Sequence, residues 1–417
     1  MSSMFDHIEE AWGLDQNPFP HAAISNDTSP YSAEVFRSEI AEFQQKIVRG
    51  ALQGNRQVGF LWSKGPGGDT GYGKTSLMRH TVAEINAPDW GEDIQIATGM
   101  KPNRVTKIAA GFSELNTNQR TGLYPVIFNA VLSMATGADS PLLRAHTAIC
   151  EELDTDSASA IRTKLVETRL VVAPTSAPLR PDFTDWFTAS PKDVPALLGG
   201  VTPTTQLRSG IDFLHFALIA LRAAGVEKVL LMIDQLEDLA TNKALPASKR
   251  RREIGRVRDL LETEPFAGML HQTYTFHATA ARELDSFWEA NRLPSFEDTQ
   301  SNQAAVVVLR GMRDDDQVEA LLKAWMTPHR NDVEIEDDLV PFDRRALSIL
   351  RQVSQGRPGA LLNMANEVFD AGAQAQVGRI DREFTRAHFQ GVPAQTTIGA
   401  GDDEDADYAA EVEDLLA

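Results

Sequence analysis

The sequence predicts an α/β fold in which a parallel sheet with flanking helices is followed by a small helical lid domain. Apolar strands alternate with helical stretches over most of the chain, and this alternation is typical of a parallel sheet that is covered on both faces. A glycine-rich loop joins the first of these strands to a helix. Beyond residue 312 the pattern becomes purely helical, which indicates the lid.

Strands are predicted where short apolar runs are bounded by turn-forming residues, and helices where apolar residues recur at helical spacing. The predicted strands are Val58 to Trp62, Ile94 to Ala97, Lys228 to Ile233, Tyr274 to Ala278 and Val306 to Leu309. The predicted helices are Ser32 to Leu52, Lys74 to Ile85, Leu123 to Met134, Ile211 to Ala223, Asp315 to Trp325, Asp343 to Val353 and Ala360 to Ala371.

The chain of 417 residues is longer than one core usually organises, since domains cluster around ~100–150 residues. Between about 138 and 206 the helical pattern loosens and prolines become frequent, which predicts an inserted element. Five segments are therefore expected. They are an N-terminal arm and helix (1–55), a core (56–312), the insertion within the core (138–206), the helical lid (313–395) and a disordered acidic tail (396–417).

Composition excludes several classes of protein. The single cysteine, Cys150, rules out an internal disulfide and a thiolate zinc cluster, and the nine histidines show no metal-ligand spacing. Apolar runs such as Phe213 to Leu221 are too short to span a bilayer, and the first residues lack the pattern of a secretory signal. We therefore expect a cytoplasmic protein with no membrane partner.

Charge is distributed unevenly in this acidic chain. A formal net charge of −19 argues against a protein that coats nucleic acid over its whole surface, although the run Lys249 to Arg258 is locally basic. Residues 402–414 carry eight acidic side chains and no basic one, so the tail should not fold alone. Its apolar residues have helical spacing, and the tail is either a partner-binding element or a solubilising end.

A phosphate-binding motif lies between the first predicted strand and the following helix. Residues 68–75 satisfy G-x-x-x-x-G-K-T, the P-loop pattern. Its glycines let consecutive N–H groups face phosphates above a helix N-terminus. Lys74 would reach the β- and γ-phosphates and the Thr75 hydroxyl would bind Mg²⁺, so the motif predicts ATP and Mg²⁺ as ligands. The expected nucleotide contacts are Gly68, Gly71, Tyr72, Gly73, Lys74, Thr75 and Ser76.

A second motif, of Walker B type, is an apolar strand that ends in an acid, Asp234. Ligands collect at the carboxyl ends of parallel strands, so Asp234 is expected near the Mg²⁺ held by Thr75. Hydrolysis also needs a group that orients or deprotonates water. Glu237 is the nearest carboxylate for this role. The alternative is that Gln235, which directly follows Asp234, orients water weakly and leaves the protein a slow switch.

At this point the chain resembles the AAA+ P-loop NTPases of the ExeA type, a group that includes transposition-helper ATPases and, more distantly, origin-recognition and STAND ATPases. The resemblance extends over residues 10–135 and 207–390. Residues 12–19 (WGLDQNPF) resemble the N-terminal arm that packs beside adenine in that family, 307–312 (VVLRGM) its entry into the lid, and 354–363 (SQGRPGALLN) its sensor 2 stretch.

The chain also departs from the family pattern. The sensor 2 arginine is expected where Gly359 stands, so Arg357, two residues earlier, is the candidate nucleotide contact in the lid. Thr279 is the candidate sensor 1 residue. Many relatives place glutamate directly after the Walker B aspartate, where this chain has Gln235.

The resemblance implies a homo-oligomer, either a ring or a filament, in which an arginine of one subunit reaches the γ-phosphate bound by its neighbour. Three interpretations of the run Lys249–Arg258 stay open: a solvated helix face, this trans-acting arginine, or a DNA contact. A protein partner is expected through the 138–206 insertion or the acidic tail. The candidate trans-acting residues are Arg251, Arg252, Arg256, Arg258 and Arg282.

The implied function is an ATPase that uses its nucleotide cycle to assemble or remodel a partner complex, in DNA transactions such as transposition, replication or defence against mobile DNA. The competing hypothesis is a slow-turnover switch or scaffold of the STAND type, which Gln235 and Gly359 favour. A secretion ATPase is disfavoured because no transmembrane segment is predicted, and a kinase because the P-loop lies in a frame with a helical lid.

Overall fold

The structure is a computed structural model of the whole chain, and its central feature is a five-stranded sheet with the order β2-β3-β4-β1-β5. It describes residues 4–21, 35–53, 58–63, 71–87, 108–115, 122–137, 139–173, 179–189, 203–241, 246–262, 268–277, 286–294, 304–331, 335 and 337–390. The strands are β1 (Val58–Ser63), β2 (Ile108–Glu114), β3 (Lys228–Asp234), β4 (Leu270–Thr275) and β5 (Ala305–Leu309).

The pairing of the strands confirms the predicted α/β fold class with a parallel sheet and flanking helices. β1 pairs in parallel with β4, β4 with β3, and β3 with β2. β4 thus lies between the strand that leads into the P-loop and the strand that ends at Asp234. Because these strands run in parallel, their carboxyl ends lie at one edge of the sheet, where ligands of such sheets collect.

Strand β2 was not predicted, because its sequence is poor in strand-forming residues. Small residues fill its centre, and a Cβ at Gly111 would lie 2.3 Å from the carbonyl oxygen of Ala130. A neighbouring helix therefore approaches this strand closely, and glycine is required for that approach. The predicted strand Ile94 to Ala97 lies outside the described residues.

Strand β4 begins earlier than predicted: the run Tyr274 to Ala278 was expected, and the strand is Leu270–Thr275. Its first half contains the polar residues His271, Gln272 and Thr273, and it therefore lacks the apolar run that predicts a buried strand. All three side chains are buried, because β4 lies between two other strands.

Among the described α-helices before residue 263, three precede β1 and the others lie between the strands along the chain. The segment 138–206, where an inserted element was predicted, contains three helices between residues 141 and 189. These helices are α1 (Met4–Trp12), α2 (Arg37–Phe43), α3 (Arg49–Gln53), α4 (Lys74–Asn86), α5 (Leu123–Ser133), α6 (Pro141–Leu153), α7 (Ala158–Val172), α8 (Pro181–Ala189), α9 (Pro203–Ala223), α10 (Asp238–Thr241) and α11 (Ala247–Glu262), of which α6, α7 and α8 are the three in the segment 138–206. None of the described helices is long and apolar enough to cross a membrane.

The chain divides into two compact units. The sheet unit comprises Ala41–Trp62 and Leu77–Val307, and the arm–lid unit comprises Met1–Ile40, Ser63–Ser76 and Val308–Ala417. The P-loop residues therefore group with the N-terminal arm and the last helices, which are α12 (Asp315–Met326), α13 (Arg344–Val353), α14 (Pro358–Gln374) and α15 (Arg382–Phe389).

The N-terminal arm is part of the core of the arm–lid unit. Trp12 is fully buried, and its ring packs against that of Phe369 of α14 at 4.8 Å between centroids. Asn366 of α14 donates a hydrogen bond to the carbonyl oxygen of Phe19 at 2.6 Å. Aromatic packing and a hydrogen bond to the main chain thus hold the arm on α14.

Arg330 holds three segments of the arm–lid unit together. Its guanidinium donates to the carbonyl oxygens of Trp12 (2.7 Å), Asp338 (2.6 Å) and Val340 (2.6 Å). Arg330→Ala is expected to lower the free energy of unfolding by about 2–3 kcal/mol, because these carbonyls lose a charged donor. Thermal and urea denaturation measure this change.

Arg344→Ala is the matched control for that substitution. Arg344 pairs with Asp316 on the surface, where both side chains are exposed, and such pairs contribute about 0–1 kcal/mol. Equal melting of the two variants would show that the Arg330 hydrogen bonds do not hold the unit together.

Candidate nucleotide site

The described part of the P-loop, from Gly71 onward, has the backbone conformation that its glycines permit. Gly71 and Gly73 adopt φ values of +83° and +84°, a region that side chains rarely occupy. Helix α4 begins immediately afterwards at Lys74. The two glycines therefore lead directly into a helix N-terminus, whose N–H groups can bind an anion. Gly68 lies outside the described residues.

Lys74 is buried at the end of strand β1. Its side chain is 7% exposed, and Nζ donates to Oγ of Ser63, the last residue of β1, at 3.0 Å. Thr75 and Ser76 are half-buried in the first turn of α4, and Tyr72 is buried. The ammonium is thus placed between the strand and the helix that flank the loop.

The P-loop contacts the first turn of α14 within the arm–lid unit. The Gly359 N–H donates to the Gly71 carbonyl oxygen at 2.9 Å. Arg357, the residue before α14, is 9% exposed, and its Nε donates to the Ser354 carbonyl oxygen at 3.3 Å. Gly359, which stands where the resemblance places an arginine, therefore contributes a backbone contact to the P-loop.

Asp234 ends strand β3 and is 1% exposed. Its Oδ1 accepts hydrogen bonds from the Thr275 hydroxyl and from the Gln235 N–H, the latter at 3.0 Å. These donors orient the carboxylate and stabilise its charge. Thr275 was not predicted as a site residue, whereas the predicted Thr279 lies outside the described residues.

Gln235 is linked to the neighbouring strand through its side chain. Its Nε2 donates to Oε1 of Glu114, the last residue of β2, at 2.6 Å. Arg79 lies 3.8 Å from the other oxygen of Glu114. Burial raises the pKa of the Glu114 carboxyl and the charge of Asp234 raises it further, whereas Arg79 opposes both effects.

Glu237 is paired with a histidine that sequence reasoning missed. Its side chain is 6% exposed, and Oε1 lies 3.0 Å from Nε2 of His277, which follows β4. Both Thr275 and His277 fall inside the predicted strand Tyr274 to Ala278, whereas β4 ends at Thr275. Neither residue was therefore recognised as lying at the carboxyl end of a strand. A correctly placed β4 would have indicated them, because polar residues at the carboxyl end of a parallel strand lie at the ligand edge of the sheet.

The structure separates the arginines of the basic run by their contacts. Arg256 donates to the buried Glu253 at 2.6 Å, and Arg258 donates to the Asn291 carbonyl oxygen at 2.8 Å. Arg251 and Arg252 are exposed on α11. Two of the five candidate trans-acting arginines are thus engaged within their own chain, two face solvent, and Arg282 lies outside the described residues.

The two predicted Mg²⁺ ligands, Thr75 and Asp234, are both oxygen donors. No group of three or more His, Cys, Asp or Glu that could hold a metal occurs among the described residues. Thr75 and Asp234 offer a hydroxyl and a carboxylate oxygen, which are hard ligands. Mg²⁺ commonly binds through one or two such groups together with substrate phosphates and water.

Comparison with known proteins finds similarity only at the level of structure. No protein-family model and no curated protein sequence matches the chain. The Aeropyrum pernix ORC2 protein, in ADPNP–ADP complexes, is 11% identical, with a TM-score of 0.48 over 88% of this chain and 70% of that chain. Drosophila ORC bound to DNA is 12% identical, with a TM-score of 0.37 over 93% of this chain and 65% of that chain. These likenesses are distant.

Proposed function

We propose that the chain binds ATP with Mg²⁺ and hydrolyses it, as a cytoplasmic AAA+ protein whose nucleotide cycle assembles or remodels a partner complex. The observation that carries this proposal is the P-loop, where two glycines at positive φ lead into a helix that begins at a buried lysine. Such a loop with its helix N-terminus binds phosphates. We also propose that the chain is related to the ExeA type of AAA+ ATPase.

Lys74 and Asp234 are proposed to act on one nucleotide. Strand β1 leads into the P-loop, and β3 ends at Asp234 at the same edge of the parallel sheet. Lys74 would exchange its bond to the Ser63 hydroxyl for stronger, charge-assisted bonds to phosphate oxygens. Gly68, Tyr72, Ser76, Thr279 and Arg357 are the further proposed contacts.

Thr75 and Asp234 are proposed to hold Mg²⁺. The Asp234 carboxylate is already oriented by Thr275 and the Gln235 N–H, so little side-chain ordering is needed on binding. When bound, the ion supplies positive charge to the β- and γ-phosphate oxygens. These two protein ligands leave the remaining positions to water and the nucleotide.

Glu237 is proposed to accept the proton of the attacking water. Glu237→Gln is expected to leave ATP affinity unchanged and to lower turnover by about 100-fold, because a lost general base costs about 10²–10⁴ in rate. The glutamine keeps an acceptor for His277, which lies 3.0 Å from Glu237. Nucleotide binding and phosphate release measure the two effects.

Glu227→Gln is the matched control for Glu237→Gln, because Glu227 is an exposed carboxylate just before β3, at the opposite end of that strand from Asp234. Its turnover is expected to equal that of the wild type. If Glu237→Gln also hydrolyses ATP at the wild-type rate, the proton acceptor lies elsewhere.

A second candidate function is a slow nucleotide-dependent switch or scaffold. Two observations favour it. An amide, Gln235, occupies the position after Asp234, and Glu237 is almost fully buried against His277. A switch needs ATP binding but tolerates turnover slower than the ~1–10³ s⁻¹ of typical enzymes.

The proposed partners follow from the exposed charges and the segments outside the core. A homo-oligomer, either a ring or a filament, would use Arg251 or Arg252 in trans, since both are exposed on α11. The same arginines would contact DNA if the protein acts in transposition, replication or defence against mobile DNA. A protein partner would bind the 138–206 insertion or the acidic tail.

One comparison tests the proposed function. ATP turnover is measured for the protein alone, with DNA and with the products of neighbouring genes. Stimulation by DNA or by a partner is expected of an ATPase that remodels a complex. Tight ATP binding with no stimulated turnover would support the switch, and absence of ATP binding would overturn both candidates.

A further inference from the structure

Gln235 has an unusual backbone that its neighbours hold in place. Its φ is +62°, in the left-handed region that residues other than glycine rarely adopt. Its N–H donates to both Asp234 Oδ1 and Thr275 Oγ1 at 3.0 Å, and its carbonyl oxygen accepts from the Asp238 N–H at 3.1 Å. Strained conformations of this kind persist where surrounding contacts fix them, and they cluster at functional sites.

The side chain of Gln235 is fixed as well. An amide has a donor end, Nε2, and an acceptor end, Oε1, whereas a carboxylate only accepts. Because Glu114 receives the hydrogen bond at 2.6 Å, Nε2 must be the end that points to it. No hydrogen bond among the described residues uses Oε1 of Gln235, so the contact leaves the acceptor end of the amide for another donor.

Glu114 is itself held by its surroundings. It pairs with Asp234 in the register of β2 and β3, which places it beside the Walker B acid. The Arg79 guanidinium lies 3.8 Å from its second oxygen and 4.8 Å from the ring centre of Phe112 on the same strand. The carboxylate therefore presents one oxygen to Gln235 and the other to an arginine.

We propose that Glu114 is a positioning residue that fixes the Gln235 amide so that its Oε1 accepts a hydrogen bond from the water attacking the γ-phosphate. The proposal rests on the proposed ATP hydrolysis and adds a residue to it. In P-loop enzymes a glutamine can orient the attacking water. Here the carboxylate on β2 determines which end of the amide the water meets.

The water oxygen bonds to the γ-phosphorus while the bond from that phosphorus to the β,γ-bridging oxygen breaks, so ADP and phosphate leave. One water proton passes to the Glu237 carboxylate and then to solvent. Gln235 holds the water through a hydrogen bond and takes no proton.

Exchanging the two side-chain types tests the proposal. Glu114→Gln retains the shape of the side chain but can meet either end of the Gln235 amide. We expect kcat to fall about tenfold, the effect of losing one charged hydrogen bond, with KM unchanged.

The double variant Glu114→Gln with Gln235→Glu keeps the bond with its partners reversed, because the amide at 114 donates to the carboxylate at 235. Its kcat is expected to exceed that of Glu114→Gln by at least about tenfold, since a carboxylate then meets the water.

Controls separate this proposal from the proposed function. Binding of a fluorescent ATP analogue and thermal melting are measured for each variant, and the single variant Gln235→Glu, which places two carboxylates in contact, is expected to turn over more slowly than the exchange. If Glu114→Gln turns over at the wild-type rate, or the exchange is no faster than Glu114→Gln, the positioning role is overturned. If the wild-type protein binds the analogue but does not hydrolyse ATP, the positioning role of Glu114 is overturned and ATP binding stands. If the wild-type protein does not bind the analogue, the proposed function is overturned.

Discussion

Lys74→Ala is expected to weaken ATP binding by about 10- to 100-fold, since a hydrogen bond to a charged group contributes about 1.5–3 kcal/mol and 1.4 kcal/mol is tenfold in affinity. Lys74 is 7% exposed, at the junction of β1 and α4, and its Nζ contacts the Ser63 hydroxyl at 3.0 Å. Because that contact is to a neutral hydroxyl, its loss should cost the fold little. Titration with a fluorescent ATP analogue measures the affinity, and melting measures the fold.

Lys164→Ala is the matched control for Lys74→Ala. Lys164 is a lysine of α7 whose Nζ pairs with Glu152 on the surface. Its removal is expected to change neither the affinity for ATP nor, by more than about 1 kcal/mol, the stability. Unchanged ATP affinity in Lys74→Ala would contradict the P-loop assignment.

The elements around the P-loop could be predicted because their signals are local. An apolar strand, glycines at fixed spacing and a helix beginning at Lys74 all lie within 58–86, and the structure has β1 and α4 there. The Walker B strand is equally local, since a run of apolar residues ends at Asp234. Motifs of this kind depend on chain neighbours and not on the arrangement of the sheet.

Strands β2 and β4 were harder to predict because tertiary packing overrides local propensity. Gly111 in β2 is required by the close approach of Ala130, and a propensity argument counts this glycine against a strand. The buried polar residues of β4 are tolerated because the strand lies between β3 and β1. The sequence pattern therefore placed β4 too late in the chain, and His277 was not recognised as a residue at the end of the strand.

The contact between Gln235 and Glu114 could not be predicted from sequence. The two residues are 121 positions apart, and the contact depends on β2 lying beside β3 in a register that pairs Glu114 with Asp234. Strand order is a property of the whole fold, and a single sequence does not specify it. Residue types thus predicted the acid of β3 and the amide after it, but not the carboxylate that orients the amide.

Asp234→Asn is expected to lower Mg²⁺-dependent ATP turnover by about 100-fold or more, because the metal loses its charged protein ligand. The substitution is suited to the site. Asp234 Oδ1 accepts from the Thr275 hydroxyl and the Gln235 N–H, and the asparagine oxygen can accept both bonds. The buried end of β3 can therefore keep these two hydrogen bonds, while the charge of the side chain and its second oxygen are lost.

The readout that distinguishes a metal ligand from a structural residue is the dependence on Mg²⁺. ATP binding in EDTA should be the same for Asp234→Asn and the wild type, whereas the gain in affinity on adding Mg²⁺ should be lost in the variant. Asp185→Asn is the matched control, because Asp185 is an exposed aspartate that pairs with Arg162 on the surface, and it should behave as the wild type. A variant at Asp234 that retains the wild-type Mg²⁺ dependence would show that the ion is held elsewhere, because the substitution removes the charged oxygen that would bind the metal.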